Sequence, residues 1–228
     1  MNDFFQSPND ECCIGSNPAA RFMLRWHCIH VVTAGGDRRR ELGIHAQTSQ
    51  TGTADHRMST SAYPMNWRER ITGVYEGRRQ QPGLAGKPEF YPAASAQEIS
   101  DTEVELNAKL PGSFRSLLLE TNGVMDMLAI DGGDWFKSMW LFWNIDEIVK
   151  QNRYSRAATE KRTFERDFTT LVFFAGAGTD GILFAFPVED GFCSPRVMVW
   201  HPIMNELEEI APSLEDFLRG WLTNTISV

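Results

Sequence analysis

At 228 residues the chain can form one full core with length to spare, given ~150 residues per domain. Its 42% hydrophobic and 23% charged content, with 15 Phe and 7 Trp, excludes both a wholly disordered chain and a small disulfide-stapled peptide. A formal charge of −8 opposes a phosphate backbone, so nucleic acid is not an expected partner.

Residues 1–64 show no sustained periodicity. Arg38-Arg39-Arg40 follows Ala34-Gly35-Gly36, and a Thr-, Ser- and Gln-rich run extends from Gln47 to Ser61. The expectation is a poorly structured N-terminal extension, with a single domain over 65–228. Acids and bases balance within the extension, so the whole negative excess lies in the domain. From Phe168 onward the only bases are Arg196 and Arg219. No stretch approaches ~18 apolar residues, and Met1 is followed by Asn-Asp rather than a basic leader, so neither a membrane span nor export is expected. Cys12, Cys13, Cys28 and Cys193 form no disulfide framework, and reduced thiols in the cytoplasm are the simplest reading.

Trp67, Ile71, Val74 and Tyr75 fall on one face of a helix that Gly77 ends. A Gly-, Pro- and Gln-rich loop follows. Ser95 and Glu98 have capping-box spacing and open a second helix carrying Ile99 and Leu106. Pro111 suits the first turn of a third, whose Phe114, Leu117, Leu118 and Thr121 share a face before Asn122-Gly123 stops it. Met139 to Trp143 reads as a strand, and Asn144 to Glu147 as the start of another helix with Ile145, Ile148 and Val149 inside. Thr170 to Ala175, Ile182 to Phe186 and Arg196 to Trp200 read as strands of an antiparallel meander, with a short fourth at Glu206 to Ile210. Ser213 caps a closing helix with Leu214, Phe217, Leu218, Trp221 and Leu222 on one side. The predicted class is α+β: helices around a mixed or mainly antiparallel sheet, a β-meander and a C-terminal helix.

Several groups invite a chemical reading. Gly176-x-Gly178-x-x-Gly181 matches the dinucleotide fingerprint in letters, yet a strand follows it where a helix N-terminus is needed, so a hairpin turn is expected, with Asp180 bonding the turn's amides. Cys12, Cys13, His27, Cys28 and His30 offer soft ligands at spacings that match no zinc finger, so no metal or cofactor is expected. Cys193 and His201, with Asp180, compose a hydrolase alternative whose members the sequence does not bring together. The paired acids Asp131/Asp134, Glu189/Asp190 and Glu208/Glu209 read as solvated turns or edges. The stretch Asp126 to Phe136 interleaves acids with Met and aromatics. It reads either as a loop presenting anchors and charge to a basic protein, or as a loop whose Trp135 and Phe136 tuck under the sheet.

Four segments in order resemble the SUKH superfamily, which includes Smi/Knr-type cell-wall-assembly regulators and bacterial immunity proteins. They are Ala93 to Ile99, Leu110-Pro111 through Leu119 to Asn122-Gly123, the Phe174 to Phe186 hairpin with Asp180-Gly181, and Val197 to Trp200 followed by Ser213 to Leu218. Thr179 stands where the family pattern has glycine. The resemblance implies a non-enzymatic module without an active site that binds a partner protein. In bacterial relatives that partner is often a polymorphic toxin, frequently a nuclease or another basic enzyme, and the expectation for this acidic chain is a cytoplasmic immunity protein that neutralises such a toxin by occluding it. A regulatory scaffold of the Smi/Knr type is the alternative. The expected partner-binding residues are Asp126, Asp131, Asp134, Trp135 and Phe136, then Asp180, Glu189 and Asp190, on turns that can present side chains.

Overall fold

The computed structural model describes residues 66–77, 82–160 and 166–228. The expected extension over 1–64, with its Cys and His cluster, lies outside them. The described part carries helices α1 (Trp67–Gly77), α2 (Ala96–Leu106), α3 (Gly112–Glu120), α4 (Ile145–Glu160) and α5 (Leu214–Leu222). Strands β1 (Leu84–Phe90), β2 (Val124–Ile130) and β3 (Phe136–Phe142) form an antiparallel sheet in that order. Strands β4 (Leu171–Gly176), β5 (Leu183–Glu189), β7 (Val197–His201) and β8 (Glu206–Ala211) form a second, with the two-residue β6 (Phe192–Cys193) on β5. The α+β class and the meander are as expected, and every named strand pairing is antiparallel.

Local chemistry sets the helix ends. Ser95 Oγ accepts from Glu98 N–H while Glu98 Oε2 accepts from Ser95 N–H, and Asn107 ends α2 in the left-handed region. Ser213 Oγ accepts from Asp216 N–H at the start of α5. Asn122 and Gly123 do more than stop α3. Asn122 Oδ1 accepts from Ile145 N–H at the mouth of α4, next to Asn144 Oδ1 on Glu147 N–H. Gly123 has φ 102, and a Cβ there would lie 2.9 Å from the Trp140 ring and 3.0 Å from Asn144 N, so only glycine fits.

Two expectations are corrected. The stretch after α1 is not all loop, because β1 pairs with β2 along its whole length. The stretch Asp126 to Phe136 is not a loop either: β2 runs to Ile130 and β3 begins at Phe136, which leaves residues 131–135 as the turn.

The two sheets meet at a narrow seam, where Trp143 N–H donates to Phe174 O (2.9 Å). A Cβ on Gly178 would sit 3.6 Å from Met139, so β3 and β4 run side by side in opposite directions. On one face of the second sheet Phe114 of α3 packs on Phe142, Phe174 and Phe186, and Phe217 of α5 packs on Phe174 and Phe184. On the other, Phe173 and Trp200 close on Phe168. Strand β4 is thus buried on both faces, which is why Leu171 to Ala175 is continuously apolar rather than alternating.

Glu103 is a buried carboxylate in this frame. It accepts from Lys109 Nζ, Arg115 Nη1 and the buried Leu110 N–H. Burial alone raises its pKa, but the bonds from Arg115, Lys109 and Leu110 outweigh it and hold the group below the usual carboxylate range. A depressed folded pKa contributes stability that is complete above the unfolded pKa and lost as pH falls through the folded one. Urea midpoints are therefore expected to separate parent from Glu103→Gln near neutral pH, with the parent more stable, and to converge in acid below the folded pKa. A gap that persists in acid would show that shape, not charge, holds the site.

Candidate functional site

Three hairpin turns share one design. Asp131-Gly132, Asp180-Gly181 and Asp190-Gly191 have φ 50 and 72, 51 and 68, and 51 and 78. Two consecutive positive φ values match the right-handed twist of the strands they join. Aspartate followed by glycine adopts them at low cost. These three acids are therefore explained by backbone conformation before any partner is considered. The 176–181 turn is closed by main-chain bonds from Ile182 N–H to Thr179 O and from Ala177 N–H to Ile182 O. Asp180 contributes its conformation to this turn, where bonding by its carboxylate had been expected, and no hydrogen bond of that carboxylate is found among the described residues. Thr179 has no positive φ, so the family's glycine is not needed there. Strand β5 follows the glycines, so the dinucleotide reading has no helix N-terminus to use.

The register separates the expected site residues into two ends. Strand β3 antiparallel to β4 brings the 131–135 turn to the same end as the 177–182 turn. Leu183 faces Trp200 on β7, so the turn between β7 and β8 lies at that end as well. Glu189 and Asp190 lie at the opposite end of β5, roughly 20 Å away at ~3.3 Å per residue. Glu189 is also paired: Arg196 bridges it (3.0 Å) to Glu209 (3.2 Å).

Within the first group, Asp126 is mid-strand on the side facing α1, where its Oδ1 accepts from Tyr75 OH (2.8 Å). Phe136 is half-buried at the start of β3. Trp135 is 41% exposed beneath the Lys87 ammonium, which stands 4.2 Å from its ring centroid, so of the two aromatics only Phe136 is tucked in. Asp131, Asp134, Asp180 and Glu206 share this end with no ion pair among the described residues, whereas Glu208 meets His201 Nε2 at 3.4 Å.

The hydrolase constellation is not assembled. Cys193 faces Val188 while Trp200, just before His201, faces Leu183, which puts thiol and imidazole roughly 17 Å apart along β5. Burial first, then the Glu103 charge, pushes the Cys193 thiol up to about 12, the opposite of an activated nucleophile.

Sequence reasoning missed Ile203 and Met204 at the tip of the β7–β8 turn, 81% and 58% exposed. The signal was available, since Pro202-Ile-Met-Asn205 puts two apolar residues between two predicted strands, where turns favour Gly, Asn and Asp.

Two antiparallel sheets with helices packed on them, a β-meander and a capped closing helix are the architecture of a SUKH-type module. The SMI1 / KNR4 family (SUKH-1) matches residues 93–220, more than half of the chain, and the protein belongs to that family. At the family level this is a non-catalytic module. Helix α1 and strand β1 precede the match, yet Trp67 and Ile71 are core residues and β1 pairs along the whole of β2. No curated protein matches the chain. Among the described residues no helix is long and apolar enough to cross a membrane.

Proposed function

We propose that the protein is a cytoplasmic immunity protein that neutralises a basic protein toxin by covering its working surface. The observation that carries this reading is the end of the sheets where Asp131, Asp134, Asp180 and Glu206 have no ion pair among the described residues and stand beside exposed Trp135. Unpaired carboxylates speed encounter with a cationic surface and compete there with an anionic substrate, while an aromatic ring supplies contact area. The separation of Cys193 from His201 favours occlusion over chemistry.

The test is co-expression with the product of the neighbouring reading frame, scoring survival and a stoichiometric complex. Survival with a complex supports immunity; a complex with a harmless partner favours the regulatory reading; a toxin destroyed catalytically overturns occlusion. Replacing Asp131, Asp134 and Asp180 together by Asn keeps residues that tolerate the left-handed region and removes three charges. That variant is expected to associate about tenfold more slowly at low salt, with a flatter salt dependence and little change in dissociation. Unchanged association kinetics would remove this end from the interface.

A further inference from the structure

We propose that the β7–β8 turn supplies the apolar anchor of that interface: Ile203 and Met204 enter an apolar recess on the basic partner protein, framed by cations that meet Glu206 and Asp180. This rests on the partner-binding reading above and names the residues that hold the complex together.

The fold accounts for the neighbours of these two residues but not for them. Asn205 carries the turn's positive φ of 53, and Pro202 fixes its own φ. Indole and imidazole before the turn are buried, with Trp200 in the core and His201 beside Glu208. Ile203 and Met204 touch no core, and Ile203 is the most exposed large hydrophobic side chain among the described residues. By contrast Asp131, Asp180 and Asp190 have a conformational reason for their identity. Side chains that the fold does not require and that solvent disfavours are where a binding function is best sought.

The turn is also held in place. Arg166 donates from Nη2 to Asn205 O (3.4 Å), and its guanidinium lies over the Trp200 ring at 5.1 Å. A stiffened tip loses less freedom on docking. Its position suits an interface edge. Strands β3, β4, β5, β7 and β8 stand in that order, so Trp135 and Ile203 are between three and four strand spacings, roughly 17 Å, apart, and fit within one protein interface patch of about 800 Å². The carboxylates of Asp131, Asp134, Asp180 and Glu206 lie between and beside these two apolar points. Charge complementarity therefore selects a basic partner over a second copy of this acidic chain.

The test uses the partner protein from the co-expression above, inactivated, against the full chain carrying Ile203→Ser and Met204→Ser. Pro202 and Asn205 are kept, so the turn is retained, and a thermal midpoint equal to the parent's verifies it. The expected result is a Kd at least about tenfold weaker, seen mainly as faster dissociation with the salt dependence unchanged. That pattern differs from the slowed association of the Asn variant. A Kd within about twofold of the parent's overturns the anchor while leaving the acidic interface standing. Capture of no partner by the parent chain overturns both readings. Self-association of the parent in sedimentation, abolished by the two serines, would assign the turn to a second copy and overturn the proposal.

Discussion

Replacing Phe114 by alanine is expected to destabilise the domain by about 3–5 kcal/mol, the range for losing a fully buried aromatic ring. Phe114 is fully buried on α3, and its ring centroid lies 6.1 Å from that of Phe142, 5.4 Å from Phe174 and 5.3 Å from Phe186. It therefore touches β3, β4 and β5 at once, across the seam where Trp143 supplies a main-chain bond between the sheets. Removing the ring forfeits its transfer free energy and leaves a cavity that three strands and a helix cannot all close in on. Phe114→Leu retains much of the volume and is expected to cost roughly half as much. Urea denaturation with a shared m-value measures both. A loss below about 1 kcal/mol for the alanine variant would mean that the sheets slide together and the seam is not fixed by this ring.

The second large effect is polar. Asn152 on α4 is buried, and its side-chain amide bonds both main-chain groups of Phe173, Oδ1 accepting from N–H (2.9 Å) and Nδ2 donating to C=O (2.8 Å). This pair of bonds is what a neighbouring strand would give β4 at that point, so the amide stands in for a missing strand beyond the seam. Nδ2 also donates to Ile148 O. Asn152→Ala leaves a buried donor and acceptor without partners, at about 1–3 kcal/mol for each group, so a total of roughly 2–6 kcal/mol is expected. Asn152→Asp keeps the acceptor, loses the donor and buries a charge, so it is expected to be no better near neutral pH and to recover partly in acid as the carboxyl protonates. Hydrogen exchange at Phe173 N–H separates this from a general packing loss: that amide should lose protection beyond the global change. Equal loss across β4 would assign the role to packing.

The helices were legible because their ends are written in side chains. Ser95 with Glu98 and Ser213 with Asp216 each place an oxygen where a first-turn amide needs one. The second-sheet strands were legible because β-branched and aromatic residues run between turn signals. Strand β1 was hidden because Leu84-Ala-Gly-Lys-Pro-Glu-Phe90 contains both a glycine and a proline. It stands at the edge of its sheet, where a missing N–H is tolerated. Strand β2 was hidden by Asp126, a charge on the helix-facing side whose bond from the distant Tyr75 hydroxyl no local pattern announces. At the candidate site the sequence marked the acids but not their distribution. Which turns share an end depends on strand order and on the seam between β3 and β4, both set by long-range packing. It also presented Asp131, Asp180 and Asp190 as one class with Asp134, although the first three answer to backbone torsion and the fourth does not.

A turn whose shape is guaranteed by one asparagine and one proline leaves the two positions between them unconstrained by folding, so Ile203 and Met204 can drift without endangering the scaffold. The same holds for Asp134 and Trp135, outside the Asp131-Gly132 pair. A lineage acquiring a new binding specificity would rewrite these four letters first and leave the paired Asp-Gly steps alone.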